Sequence, residues 1–257
     1  MINDEPVVEI KDVKIKLGSD WVHQSINLTV NKGEVLAIVG GSGSGKTTLL
    51  REMLMLQPPD SGSIKIFGEE ITTASYLETC EIQKRCGVLF QQNALFSSLN
   101  LLENTSFPLK EHTKLDKKNI EKIAAFKIVL AGLSLDSAYK FPSELSGGMQ
   151  KRAALARAIV LDPELIFLDE PSAGLDPVSA DAFDDLILNL KKSMGLTVII
   201  VTHDLDSLWR VTDRVAFLGE GKVLCVDKIE NLVKNKHPLI NNFFCGARGR
   251  TAKDIYQ

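Results

Sequence analysis

The sequence has no apolar stretch long enough to cross a membrane. Its longest apolar runs, such as Val35–Val39 and Leu196–Val201, fall far short of the roughly 20 residues a spanning helix needs. Cysteine is scarce: Cys80, Cys86, Cys225 and Cys245 are the only four in 257 residues. Their spacing matches neither a metal site nor a disulfide framework. They read as small apolar fillers, and the chain as the resident of a reducing, cytosolic compartment. Charge of one sign is also lacking. A formal net charge of −3 gives no basic field, so no nucleic-acid partner is expected. Met1–Pro6 is polar and acidic, unlike a signal peptide. No internal repeat or low-complexity segment is visible, which makes one functional domain the simplest organisation.

Hydrophobic patterning points to an α/β chain. Val7–Ile10, Val13–Leu17 and Ile26–Val30 are short, β-branched and partly alternating, as antiparallel strands near a sheet edge are. Val35–Val39, Leu165–Leu168 and Val198–Val201 are continuously apolar, as strands buried on both faces are. Between the last two lies a helical stripe of Phe183, Leu186, Ile187, Leu190 and Met194. That order implies a parallel sheet. Arg214–Leu218 and Val223–Val226 read as a hairpin joined through Gly219–Lys222. From Asn93 to Glu144 strand signals vanish, which predicts an inserted helical subdomain.

Three segments carry chemistry. Gly40-Gly41-Ser42-Gly43-Ser44-Gly45-Lys46-Thr47 fits G-x-x-x-x-G-K-[ST], with a buried strand before it and a predicted helix, Thr47–Leu56, after it. Glycines let backbone N–H groups turn inward around phosphate oxygens, and a helix N-terminus adds free donors. Lys46 offers a point charge, and Thr47, followed by Thr48, offers a hydroxyl to Mg²⁺. The bland alternative is a plain strand-to-helix turn. Leu165–Leu168 ends in Asp169 and Glu170. Strand ends of a parallel sheet face the ligand crevice, so Asp169 can hold a metal and Glu170 can accept a proton from an attacking water. Read alone, Asp-Glu-Pro is equally a solvated turn. Leu145-Ser146-Gly147-Gly148-Met149-Gln150 places a good helix cap before two glycines, leaving N–H groups open to an anion.

In this order the motifs resemble the ABC-transporter ATPase family, whose signature is Leu-Ser-Gly-Gly-Gln; here Met149 stands at the fifth place. The resemblance spans roughly residues 7–230 and implies a P-loop NTPase (RecA-like) core with a mixed sheet. Antiparallel N-terminal strands and an inserted helical subdomain at roughly 93–150 complete the expected fold. It implies ATP and Mg²⁺ as ligands. Gln91 resembles the glutamine that touches Mg²⁺ and senses the membrane subunit. Ser172–Asp176 resembles the D-loop, which brings Asp176 to the nucleotide. His203 resembles the histidine that contacts the γ-phosphate. Ser146, Gly147 and Gly148 would meet the nucleotide of a second copy of the chain. Leu17 stands where an aromatic residue usually stacks on adenine, with Trp21 nearby but out of register.

Phe107–Thr113, Leu145–Met149 and Phe243–Arg250 look closest to the ATPase of Mla (Mce-type) phospholipid-transport systems. That branch implies two integral-membrane permease subunits above the ATPase pair, at the cytoplasmic face of the inner membrane, and a lipid-binding periplasmic Mce-type protein beyond. An ATPase domain at 1–237 and a partner-contacting tail at 238–257 are expected. Phe96, Leu99 and Leu101 are candidates for the groove that docks the permease, or for the subdomain's own core. An amino-acid or other small-solute importer, and less so a soluble non-transport ATPase, are the competing readings.

Overall fold

The computed structural model describes residues 6–245. In chain order its elements are β1 (Pro6–Leu17), β2 (Asp20–Asn31), β3 (Val35–Val39), α1 (Lys46–Met53), β4 (Ser61–Ile66), β5 (Glu69–Glu70), α2 (Tyr76–Lys84) and β6 (Cys86–Leu89). There follow α3 (Leu101–His112), α4 (Lys117–Leu130), α5 (Gly147–Ala158), β7 (Leu165–Asp169), α6 (Pro177–Met194), β8 (Thr197–Val201), α7 (Leu205–Val211), β9 (Arg214–Gly219), β10 (Lys222–Asp227), α8 (Ile229–Leu232) and α9 (Pro238–Cys245). The chain divides into two compact units, one formed by residues up to Ile82 together with those from Thr197 onward, the other by Gln83–Leu196.

In the first unit the strands run in the order β5-β4-β1-β2-β10-β9-β3-β8. β1 pairs antiparallel with β2 and β4, whereas β3 lies parallel to both β8 and β9. The mixed sheet matches the expected class. Val7–Ile10 and Val13–Leu17 are one strand rather than two. The register slips between Ile10 and Val13, and Asp12 sits in the left-handed region at φ 47°. The break in apolar alternation was a bulge, not a turn. β9 and β10 form the expected hairpin, closed by Glu220 and Gly221, both at positive φ, as a tight two-residue turn requires. Every residue of β3 and β8 is buried, which explains their unbroken apolar runs.

The expected tail at 238–257 opens with α9. α9 is part of the first unit's core: Ile240 and Phe244 are buried with Phe217, Val39 and Leu208. Phe243 meets the Phe217 ring edge-on at 5.5 Å. Two adjacent aromatics on a short helix bring much apolar surface to that core. Arg248 and Arg250 lie outside the described residues.

In the second unit β6 and β7 are parallel, with Leu89 opposite Leu168. The helices follow their caps. Asn100 and Glu103 form a reciprocal capping box at the start of α3. α6 is capped by Asp176, carries Pro177 in its first turn and ends at Gly195 with φ 68°. The predicted stripe of α6 buries Phe183, Ile187 and Leu190. Leu101 is 1% exposed and fills the core with Ile128, Leu145 and Ala153, so of the two readings given for it the core reading holds. Phe96 is exposed and meets the Phe107 ring at a tilt of 46°, centroids 4.8 Å apart.

Candidate functional site

In the first unit the loop Gly40–Gly45 leaves the C-terminal end of β3, and Thr202 and His203 leave the same end of β8. Ile38 is paired with Val201, so the two segments emerge side by side, about 5 Å apart as neighbouring strands are. His203 is exposed, and Thr47 is exposed on the first turn of α1. Lys46 curls back over the loop, its Nζ donating to the carbonyls of Gly40 and Gly41 at 2.9 and 3.0 Å. Ser44 Oγ is buried and has no hydrogen-bond partner. A concave loop with an orphaned hydroxyl and an ammonium resting on its own carbonyls fits an anion that would take over both. Gly40 has φ 156°, and a Cβ there would lie 2.2 Å from the Leu218 carbonyl oxygen, so only glycine lets the loop turn this tightly against β9. On its outer side the loop lines an apolar cleft of about 460 Å³ whose far wall is Leu239, Asn242 and Phe243 of α9.

In the second unit Gln91 follows β6 and Asp169–Glu170 follows β7. Because the strands are parallel and in register, these groups also emerge from one sheet end. Asp169 is buried and Gln91 exposed. Glu170 is half-buried and has φ 48°, a conformation that costs a residue with a side chain about 1–3 kcal/mol. Sequence reasoning missed what holds this turn. Lys151, on α5 and 4% exposed, donates from Nζ to the Gln91 carbonyl at 2.9 Å and the Glu170 carbonyl at 3.1 Å. Burial pulls its pKa below the ordinary lysine value, against the pull of Asp169 and Glu170.

Arg157, one and a half turns further along α5, grips the carbonyls of Asn93 (2.9 Å) and Ala94 (2.6 Å). Both of those residues are left-handed, at φ 61° and 51°. Asn104, wholly buried, receives the Phe96 N–H and donates to the carbonyls of Phe96, Leu99 and Asn100. A buried Lys and Asn and a half-buried Arg, all spent on carbonyls, form a pattern that leaves no mark on sequence periodicity.

Ser146 caps α5, its Oγ accepting from Met149 N at 3.3 Å. Ser146 and Gly147 are exposed, and nothing lies within 4 Å of where a Gly147 Cβ would be. Asp176 is close by: a Cβ on Gly148 would lie 3.7 Å from Cδ2 of its neighbour Leu175. Its carboxylate caps α6 through Ser179, whose hydrogen bonds hold its pKa below the usual range. At the tip of the β1–β2 hairpin Leu17 and Trp21 are both about half exposed, and Lys16 Nζ sits 4.3 Å over the Trp21 ring.

Among the described residues no group of three or more His, Cys, Asp or Glu forms a ready-made metal cage. Mg²⁺ keeps several waters and is held by one or two carboxylates plus substrate phosphates, so a single buried carboxylate such as Asp169 suits it.

Comparison with known proteins gives a consistent picture. A family model described as ABC transporter matches residues 23–173. The intermembrane phospholipid transport system ATP-binding protein MlaF of Haemophilus influenzae is 39% identical over 243 residues, 95% of this chain and 92% of that protein. The probable ribonucleotide transport ATP-binding protein mkl of Mycobacterium tuberculosis is 40% identical over 94% of this chain, which spans 67% of it. Among solved structures, the bacterial ABC transporter cassette MJ0796, a dimer, superposes with a TM-score of 0.80 at 31% identity, covering 86% of this chain and 98% of that one. A post-hydrolysis state of the same cassette holds ADP and Pi. The cbiO1 protein of Clostridium perfringens, part of the transporter complex cbiONQ, covers 98% of this chain with a TM-score of 0.82 at 27% identity.

Proposed function

The chain belongs to the ABC transporter family, and on that footing we propose that it is the ATP-hydrolysing subunit of a machine that moves phospholipid between two membranes. The observation that carries the substrate class is likeness over nearly the whole length to a phospholipid-transport ATPase, rather than over the ATP-binding core alone. A second reading, a transporter of small solutes such as nucleotides, is favoured by the mkl likeness. That relative extends well beyond the region this chain matches.

In the proposed mechanism the loop Gly40–Gly45, Lys46 and Thr48 hold the ATP phosphates, Ser44 Oγ gaining the partner it lacks. Thr47, Gln91 and Asp169 are the residues that would hold Mg²⁺, which would supply positive charge to the ATP phosphates. Glu170 takes the proton from the attacking water, and His203 contacts the γ-phosphate. The helix start Ser146–Gly148, with Asp176 beside it, faces the nucleotide of a second copy, so that ATP is shared by two chains and its hydrolysis parts them. The permease docks in the second unit's cleft of about 360 Å³, lined by Phe90, Phe96, Phe107, His112 and Arg157. Arg157 in that cleft also grips the segment behind Gln91, a path by which docking biases the site. A Mce-type lipid-binding protein lies on the far side of the membrane.

The test is reconstitution of the chain with its co-purified permease in vesicles. ATP-dependent transfer of labelled phospholipid to acceptor vesicles, lost in Lys46→Ala, supports the reading. ATP-dependent uptake of nucleotide with no lipid transfer supports the alternative and overturns the first.

A further inference from the structure

We infer that a buried His23–Glu52 pair is a positioning brace for the phosphate loop, orienting the Gly45–Lys46 peptide so that the Lys46 N–H faces the bound anion. The inference rests on the reading of Gly40–Thr47 as the phosphate site. His23 lies on β2 and Glu52 on the inner face of α1, and both side chains are wholly removed from solvent. His23 Nε2 is 3.1 Å from the Gly45 carbonyl oxygen, and Nδ1 is 2.9 Å from Glu52 Oε2. A carbonyl carries no hydrogen, so Nε2 must be the donor. One proton is then shared between Nδ1 and the carboxyl group. The pair is either imidazolium and carboxylate or both neutral, and in each form its net charge is zero and Nε2–H is kept.

Gly45 is the cap of α1 and has no side chain to anchor it; its φ is 92°. Its carbonyl accepts from Leu49 N at 2.8 Å as well as from His23, so both lone pairs are used. In a trans peptide the C=O and the following N–H point in opposite directions. Pinning the Gly45 oxygen from beneath therefore turns the Lys46 N–H outward, to the side where a helix N-terminus binds anions. The fit is close: a Cβ on Gly45 would lie 2.4 Å from Nε2 and 2.7 Å from Val22 Cγ1.

Stability alone does not explain the pair. Burying a histidine and a carboxylic acid is costly, and Glu52 Oε1 has no hydrogen-bond partner. Two apolar side chains of similar volume fill such a space at least as well. What they cannot do is hold a carbonyl.

The test compares three full-length chains in the Glu170→Gln background, which suppresses turnover: the parent, the double variant His23→Leu/Glu52→Leu, and Glu52→Gln. Thermal melting reports folding, and titration with MgATP reports binding. The double variant is expected to melt at or above the parent yet bind MgATP about tenfold or more weakly, the loss typical of a hydrogen bond that orients a binding group. Glu52→Gln, whose amide can donate to Nδ1 and so preserve Nε2–H, is expected to bind within about twofold of the parent. A folded double variant that binds like the parent overturns the brace alone. A parent that does not bind MgATP overturns the phosphate-site reading and the brace with it. Should the double variant not fold, imidazole ¹H–¹⁵N spectra of the parent decide. A protonated His23 Nε2 with and without MgATP supports the brace, and a tautomer protonated only at Nδ1 overturns it.

Discussion

The loop Gly40–Thr47 and the turn Gln91–Ala94 with its neighbour Glu170 lie at strand ends of the same kind, yet they are built by opposite means. The loop is made of residues that adopt its shape without strain. Its positive-φ positions are Gly40, Gly43 and Gly45, and its hydrogen bonds include ones to its own backbone and to the buried His23. The second region puts Asn93, Ala94 and Glu170, all with side chains, into the left-handed region. Lys151 and Arg157 then hold it by their carbonyls. A glycine loop is a fixed cradle. A turn held in the left-handed region by two long cations from one helix stores strain, which suits a segment proposed to report on a partner and to carry the proton acceptor.

Substitutions can break this comparison from either side. The largest effect is expected at Glu170. Glu170→Gln keeps the backbone and its hydrogen bonds but removes the proton acceptor, so steady-state ATPase falls by about 10²-fold or more while MgATP binding is retained. Gly40→Ala has the complementary outcome. Its Cβ would meet the Leu218 carbonyl at 2.2 Å, and equilibrium dialysis is expected to show MgATP binding weakened by roughly 10²-fold with the strands still folded.

Lys151→Met keeps the stem and removes the ammonium that bridges Gln91 and Glu170. Single-turnover kinetics are expected to slow by about tenfold with the MgATP dissociation constant nearly unchanged, as for a group placing the catalytic turn rather than the nucleotide. The smallest effect has the opposite sign to Gly40→Ala. Ala94→Gly relieves a left-handed alanine and is expected to raise stability in urea melts by about 1 kcal/mol. A drop would mean that the turn is not strained.

What was legible in the sequence follows the same division. Backbone-built features announce themselves: the glycine spacing of the loop, the apolar runs of β3, β7 and β8, the cap Ser146, the Glu220-Gly221 hairpin. Side-chain-built features do not. Lys151, Arg157 and Asn104 are polar residues in helices, where a periodicity argument assigns them to solvent, and only the carbonyls they meet show otherwise. His23 and Glu52 are 29 residues apart, and neither position looks unusual by itself. β4 went unread because Ser61-Gly62-Ser63 begins it with turn residues. The helix α9 is not legible as a helix because eight residues are too few to display a period, although Ile240 and Phe244, spaced four apart, are its core face.

The central claim is that MgATP is held by the loop of one chain and the Ser146–Gly148 helix start of another. It is tested most directly by placing cysteines at Ser42 and Gly147 in the Glu170→Gln chain, with the native cysteines replaced, and oxidising with and without MgATP. The account predicts a disulfide between chains that forms with MgATP and not without it, seen as a dimer on a non-reducing gel. A crosslink formed only within one chain, or a dimer band indifferent to nucleotide, would contradict it.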